Sequence, residues 1–91
     1  MPRAQRDYRT ILRYTLAAWG PRQRDAYRAR IAGALQQLLA FPSIGRARDE
    51  IAQGIRSLAV ADHIIYYRVD GATIVIIRIA HAKLDPVDWD Q

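Results

Sequence analysis

A chain of 91 residues, 51 % hydrophobic and 25 % charged with a net charge of +5, makes one small domain spanning residues 1–91; at this size it buries roughly 60–65 % of its surface. With no cysteine it has neither a disulfide framework nor a thiolate metal site, as expected of a reducing cytoplasm. No run approaches the ~18 apolar residues of a membrane span and the N-terminus lacks a signal-peptide core, so a cytoplasmic protein without membrane attachment is expected.

Residues 2–19 read as a helix. Ala4, Tyr8, Ile11, Leu12, Thr15, Leu16 and Trp19 recur at three- and four-residue steps and share one stripe. Arg3, Arg6, Arg9 and Arg13 fall on the other side. Gly20 is placed to end this helix with positive φ, and Pro21 suits the first turn of the next. That second helix runs to about residue 40, with Tyr27, Ile31, Ala34, Leu35 and Leu38 as its apolar stripe. So short a joint predicts an antiparallel α-hairpin. Residues 1–30 hold eight Arg against Asp7 and Asp25, a net +6, whereas residues 46–91 hold six cations against seven acids, a net −1. The basic character belongs to the helices, as a solvated face or as a docking surface for an acidic partner or nucleic acid. Thirteen of the fourteen cations are Arg, which suits bidentate ion pairing.

Phe41-Pro42-Ser43-Ile44-Gly45-Arg46 reads as a connecting loop, and residues 48–53 as a short helical turn closed by Gly54. Residues 55–60, 63–69 and 73–80 are rich in Ile, Val, Leu and Tyr and read as three consecutive strands. Asp70-Gly71 is a hairpin signal between the last two, and Ala61-Asp62 joins the first two with less favourable turn chemistry. The whole is an α+β fold, α-α-β-β-β: an N-terminal antiparallel helical hairpin on a small antiparallel three-stranded sheet.

Those turns predict the register. Val60 faces His63, Leu58 faces Ile65 and Arg56 faces Tyr67; across the second hairpin, Tyr67 faces Ile74, Ile65 faces Ile76 and His63 faces Arg78. One face then carries Arg56, Leu58, Val60, His63, Ile65, Tyr67, Ile74, Ile76 and Arg78. The other carries Ile55, Ser57, Ala59, Ile64, Tyr66, Arg68, Thr73, Val75, Ile77 and Ile79. Both are too apolar to be left bare. The nearly uncharged second face is expected to seat the helices, which leaves the Arg56/Arg78 face to a second protein. His63 and His81 lack carboxylates at ligand spacing, and no glycine-rich phosphate loop is present, so neither a metal nor a cofactor is expected.

The ordered set of ILRYTLAAWG in the first helix, Tyr27, the FPSIGR loop, GIRSL, HIIYYRV and IIRIAHAKLD resembles the ParE/RelE superfamily of bacterial type II toxins, nearer the ParE branch. Members usually begin with a further strand. Here Met1-Pro2-Arg3 stands where that strand should end, so a sheet of three main strands with a raw edge and a tendency to homo-oligomerise is expected. The ParE resemblance implies a toxin that inhibits DNA gyrase, and so replication, by binding it without a catalytic site, and that is neutralised by a cognate ParD-like antitoxin, as in plasmid stabilisation systems. Arg56, His63, Tyr67, Arg78 and Trp89 are the candidate antitoxin- or target-binding residues. The hairpin residues Arg13 and Trp19 are weaker candidates, since Trp19 lies on the apolar stripe. The RelE side of the resemblance implies instead a ribosome-dependent mRNA endoribonuclease, with Arg56, Arg78 and His81 as its catalytic set and Glu50 as a further acid or base. The single Lys83 departs from the lysine cluster of such enzymes. An inactive, shortened family member is the third reading.

Overall fold

A computed structural model describes residues 2–84, in the order α1 (Pro2–Trp19), α2 (Pro21–Ala40), β1 (Arg46–Ala47), β2 (Arg56–Val60), β3 (His63–Asp70) and β4 (Thr73–His81). The expected helix limits and the three main strands are present. To them is added a two-residue strand, β1, from within the expected loop, and it makes the sheet four-stranded and antiparallel in the order β1-β2-β3-β4. Trp89 and the rest of the acidic tail lie outside the described residues. No described helix is long and apolar enough to cross a membrane.

Gly20 is the joint of the helical pair. Its φ of 91° with ψ of 176° belongs to a region that only glycine enters readily. There its N–H bonds Leu16 O at 2.9 Å and its carbonyl accepts from Arg24 N at 3.1 Å, so one residue closes α1 and opens α2. The hairpin packs with Ile11 of α1 and Ile31, Ala34 and Leu38 of α2 against Val60, Ile65, Tyr67 and Ile79. Ile31, Leu38, Ile65 and Tyr67 are among the most deeply buried side chains. Burial of each aliphatic side chain contributes about 1.5–3 kcal/mol.

This packing reverses the expected sides. The helices cover the face of Leu58, Val60, Ile65, Tyr67, Ile74 and Ile76, the one that sequence polarity had assigned to a partner. The opposite face has its own smaller cluster of Ile55, Tyr66 and Ala80, with Ile51, Ile64 and Ile77 against it. Ile51 comes from the turn before β2, and Arg48 lies over the Tyr66 ring at 5.7 Å, so the chain covers part of this side itself.

The β2–β3 register is as derived, with Arg56 opposite Tyr67, Leu58 opposite Ile65 and Val60 opposite His63. In the second hairpin the loop is Gly71-Ala72 rather than Asp70-Gly71, because Asp70 pairs with Thr73. Gly71 takes φ 61° as the first central residue, and Ala72 has no positive φ, which is the requirement of a type II′ turn. Moving the loop by one residue shifts both partners together and leaves Ile74 and Ile76 on the Tyr67 face. A β-bulge at Tyr66/Tyr67 then changes the parity of β4, placing Ile79 opposite Ile65 and His81, rather than Arg78, opposite His63. Ile79 therefore joins the helix-side core.

At that bulge α1 reaches the outer side of β4. The Asp7 carboxylate accepts from Arg78 Nε at 2.7 Å, Arg78 Nη2 at 3.1 Å and the Ile79 backbone N–H at 2.9 Å. The raw edge expected of the sheet is thus occupied at this point by a side chain of α1.

Candidate functional site

The C-terminal half of α1, the start of α2, the β2–β3 turn and the end of β4 enclose a cleft of about 610 Å³. Thr10, Tyr14, Trp19, Gln23, Tyr27 and His63 line it, with Asp62 and His81 at its strand side. The local folding explains the assembly. His63 opens β3 and His81 closes β4, and the bulge brings the two into register, their ring centroids 5.4 Å apart and their planes at 72°. Tyr27, on the first turns of α2, meets His63 edge to face at 5.4 Å. Its hydroxyl contacts His63 Nδ1 and lies 3.4 Å from Val60 O. The Lys83 N–H donates to His81 Nδ1 at 3.1 Å, and the Ala82 N–H donates to Asp62 O at 2.8 Å, which ties the end of β4 to the β2–β3 turn.

Burial, and secondarily the neighbouring His81, push the His63 imidazole below its ordinary pKa of 6.5. The folded protein therefore holds His63 neutral where the unfolded chain would protonate it. Its contribution to stability is complete above pH 6.5 and is lost as the pH falls through that value towards the lower folded pKa. A His63→Gln variant should show a shallower loss of Tm between pH 7 and pH 5 than the parent, and parallel pH profiles would refute this. Burial also raises the Tyr27 hydroxyl, so it stays a neutral hydrogen-bonding group at physiological pH.

Trp19 and Tyr14 project at the mouth of the cleft, 71 % and 67 % exposed. The sequence stripe had counted Trp19 as core. As the last residue of α1 it lies beyond the part of the helix that rests on the sheet, and the buried line is Ala4, Ile11 and Thr15.

The residues singled out from the sequence are not brought to one place. Arg56 Nη1 donates to Gly45 O at 2.8 Å and lies 3.4 Å from Ser43 O, at the rim where the loop joins β1. Tyr67 is wholly buried, its hydroxyl donating to Pro42 O at 2.8 Å and accepting from Gly45 N at 2.8 Å. Arg78 is held by Asp7. Arg56 lies opposite Tyr67, whereas His81 lies opposite His63, four residues further along β3, a separation of roughly 13 Å along the sheet. Glu50 forms an ion pair with Arg48 at 3.1 Å, and that hydrogen bond holds its carboxyl below the usual range. Arg56, Arg78 and His81 therefore do not converge on one position where a phosphate could sit. The aromatic cleft was not legible as a unit beforehand. Its only sequence signal is the pair His63 and His81 at the two strand ends, and a two-residue-hairpin register without the bulge separates them.

The ParE toxin family model, described as the ParE toxin of the parDE type II toxin-antitoxin system, matches residues 1–86. Toxin ParE1 of Mycobacterium tuberculosis is 38 % identical over 85 residues, which cover 92 % of this chain and 87 % of that protein. Toxin ParE1 of Caulobacter vibrioides is 28 % identical over 83 residues, 91 % of this chain and 85 % of its own. The fold is that of a solved chain from the chromosomal ParDE TA system from P. aeruginosa, with a TM-score of 0.78 at 22 % identity and 91 % of each chain covered. With helices, sheet and nearly the whole length matched, the chain belongs to the ParE toxin family of type II toxin-antitoxin systems.

Proposed function

We propose that the protein inhibits DNA gyrase by binding it and is held inactive by a cognate ParD-like antitoxin. The observation that carries binding over RNA cleavage is the state of the two arginines. The Arg56 guanidinium is bonded to backbone carbonyls and that of Arg78 to Asp7, so both are engaged inside the fold rather than turned towards a substrate phosphate. Phosphorane stabilisation needs cations aimed at the site of developing charge, and His81 stands apart from both. Among the described residues expected to bind a partner, His63 and the weaker candidate Trp19 line an open surface, the aromatic cleft, beside His81. Family membership supports the antitoxin, and an acidic antitoxin is the favourable charge match for a protein of net charge +5.

Purified toxin added to gyrase and relaxed plasmid should abolish supercoiling at saturation, and antitoxin added in equal amount should restore it. Undiminished supercoiling at saturating toxin, with cleavage of mRNA on translating ribosomes, would overturn the reading in favour of a nuclease.

A further inference from the structure

The described chain ends beside the aromatic cleft. His81 closes β4 at the strand side of that cleft, and the Leu84 N–H donates to His81 O at 2.9 Å, so Leu84 lies one tight turn from the cleft wall. Trp89 follows five residues later, a span of at most about 18 Å. The cleft is suited to an indole. Ile11 and Thr15, both buried, line its inner part, and Tyr14 and Trp19 stand largely exposed at its mouth. Asp62 and Gln23, also among the lining residues, carry acceptor oxygens, and a buried indole N–H requires one. Charge acts in the same direction. Residues 1–84 hold fourteen cations against six acids, a net +8, whereas residues 85–91 hold Asp85, Asp88 and Asp90 with no cation, a net −3.

We propose that the cleft is a docking site for this chain's own C-terminal segment, with the Trp89 ring seated among Tyr14, Trp19 and His63 and its N–H donated to Asp62. Three considerations favour this occupant. A segment tethered five residues from Leu84 reaches an effective concentration in the millimolar range, which a free partner of equal affinity has to exceed. A second copy of the chain brings a body of the same positive sign, which repels where the acidic segment attracts. An acidic strand without a ring would leave the ring-lined cavity unfilled, and Trp89 is the one aromatic residue of 85–91. A partner that uses the cleft then binds only the fraction of molecules whose tail is out.

The Trp19→Phe variant leaves Trp89 as the sole tryptophan. In that full chain, acrylamide should quench Trp89 emission about five-fold less than after unfolding in urea. This is the shielding of a ring docked about nine-tenths of the time, from a millimolar effective concentration and a dissociation constant of about 0.1 mM. It should not vary between about 1 and 100 µM protein, as an intramolecular contact requires. Adding Thr10→Glu, which puts a carboxylate on an exposed residue of the cleft lining, should restore nearly full quenching. Gln5→Glu, exposed and not part of the lining, makes the same charge change and should leave the shielding intact. Far-UV circular dichroism checks that each variant is folded. Both histidines of the chain line the cleft, so Trp89→Ala in the otherwise unchanged protein should move the imidazole resonances of His63 and His81. Quenching equal to that of the unfolded chain overturns the proposal. So do unmoved histidine resonances, which would put the ring elsewhere, and equal effects of Thr10→Glu and Gln5→Glu, which would leave only net charge. Shielding that grows with concentration overturns it too, since the occupant is then a second copy's tail. Neither gyrase nor antitoxin enters the assay, so its outcome does not depend on the supercoiling result.

Discussion

Replacing Gly45 with alanine should destabilise the fold by about 3 kcal/mol, although the position is in a loop and leaves every helix and main strand intact. An added Cβ would stand 2.5 Å from the Tyr67 hydroxyl oxygen, 2.6 Å from Tyr67 Cε1 and 2.9 Å from Ser57 O. The tyrosine ring cannot retreat, because it is wholly buried between the sheet and the helices. The two hydrogen bonds that fasten the loop over β2, from Gly45 N to the hydroxyl and from the hydroxyl to Pro42 O, would be lost together. A domain of this length has about 5–14 kcal/mol of stability in all, so the melting temperature should fall by on the order of 15 °C. Gly33→Ala is the matched control. It lies on the exposed side of α2 with nothing within 4 Å of the new Cβ, and it should stabilise by about 0.5–1 kcal/mol. Calorimetry on the two variants decides the matter, and a Gly45→Ala protein melting within 5 °C of the parent would refute the account.

The second large effect is expected at Asp7. Its carboxylate and the Arg78 guanidinium have side chains only 14 % and 18 % exposed, and the carboxylate also takes the Ile79 N–H. Asp7→Ala removes two hydrogen bonds and the ion pair from a mostly buried guanidinium and one hydrogen bond from a backbone donor at once, which should cost about 3 kcal/mol. The double variant Asp7→Ala/Arg78→Met should recover at least about 1 kcal/mol of this, since the two losses share one interaction. Asp25, paired with Arg24 and Arg28 at 58 % exposure, should lose no more than about 0.5 kcal/mol on the same substitution. Urea titration of the parent, Asp7→Ala, Arg78→Met, their double variant and Asp25→Ala measures all three quantities, and strict additivity at Asp7 and Arg78 would show that the pair is not coupled.

The two effects also explain what could be read from the sequence. Local chemistry was legible. Gly20-Pro21 marks the helix joint, the apolar stripes mark the helices, and β-branched runs with turn residues mark the strands. The β2–β3 register followed from the turn alone. Face assignment failed because it rested on counting charges without their partners. Arg56 and Arg78 seemed to make their face unfit for helices, yet loop carbonyls receive Arg56, and the bulge pairs Arg78 with Tyr66, on the other face from Arg56, where Asp7 reaches it across 71 residues. Neither acceptor is visible from the strand. The bulge at Tyr66/Tyr67 failed for a related reason. It inserts a residue into a run of β-branched side chains that carries no glycine or proline to mark it. The clustering of His63, His81 and Tyr27 depends on that residue and was lost with it.

The clamp between α1 and β4 also sets the order in which the newly made chain can complete itself. Every strand pairs with the neighbour synthesised just before it, so the sheet can assemble as it emerges. The N-terminal helix must wait for Arg78 and Ile79, a further 71 residues, or about 4–14 s at ordinary rates of translation. Until then Asp7 has no counter-ion from β4 and the apolar side of α1 lacks part of its seat. The clamping of the first helix onto β4 therefore cannot precede synthesis of Arg78 and Ile79, and a ligand that seized the helix earlier would meet a protein not yet closed.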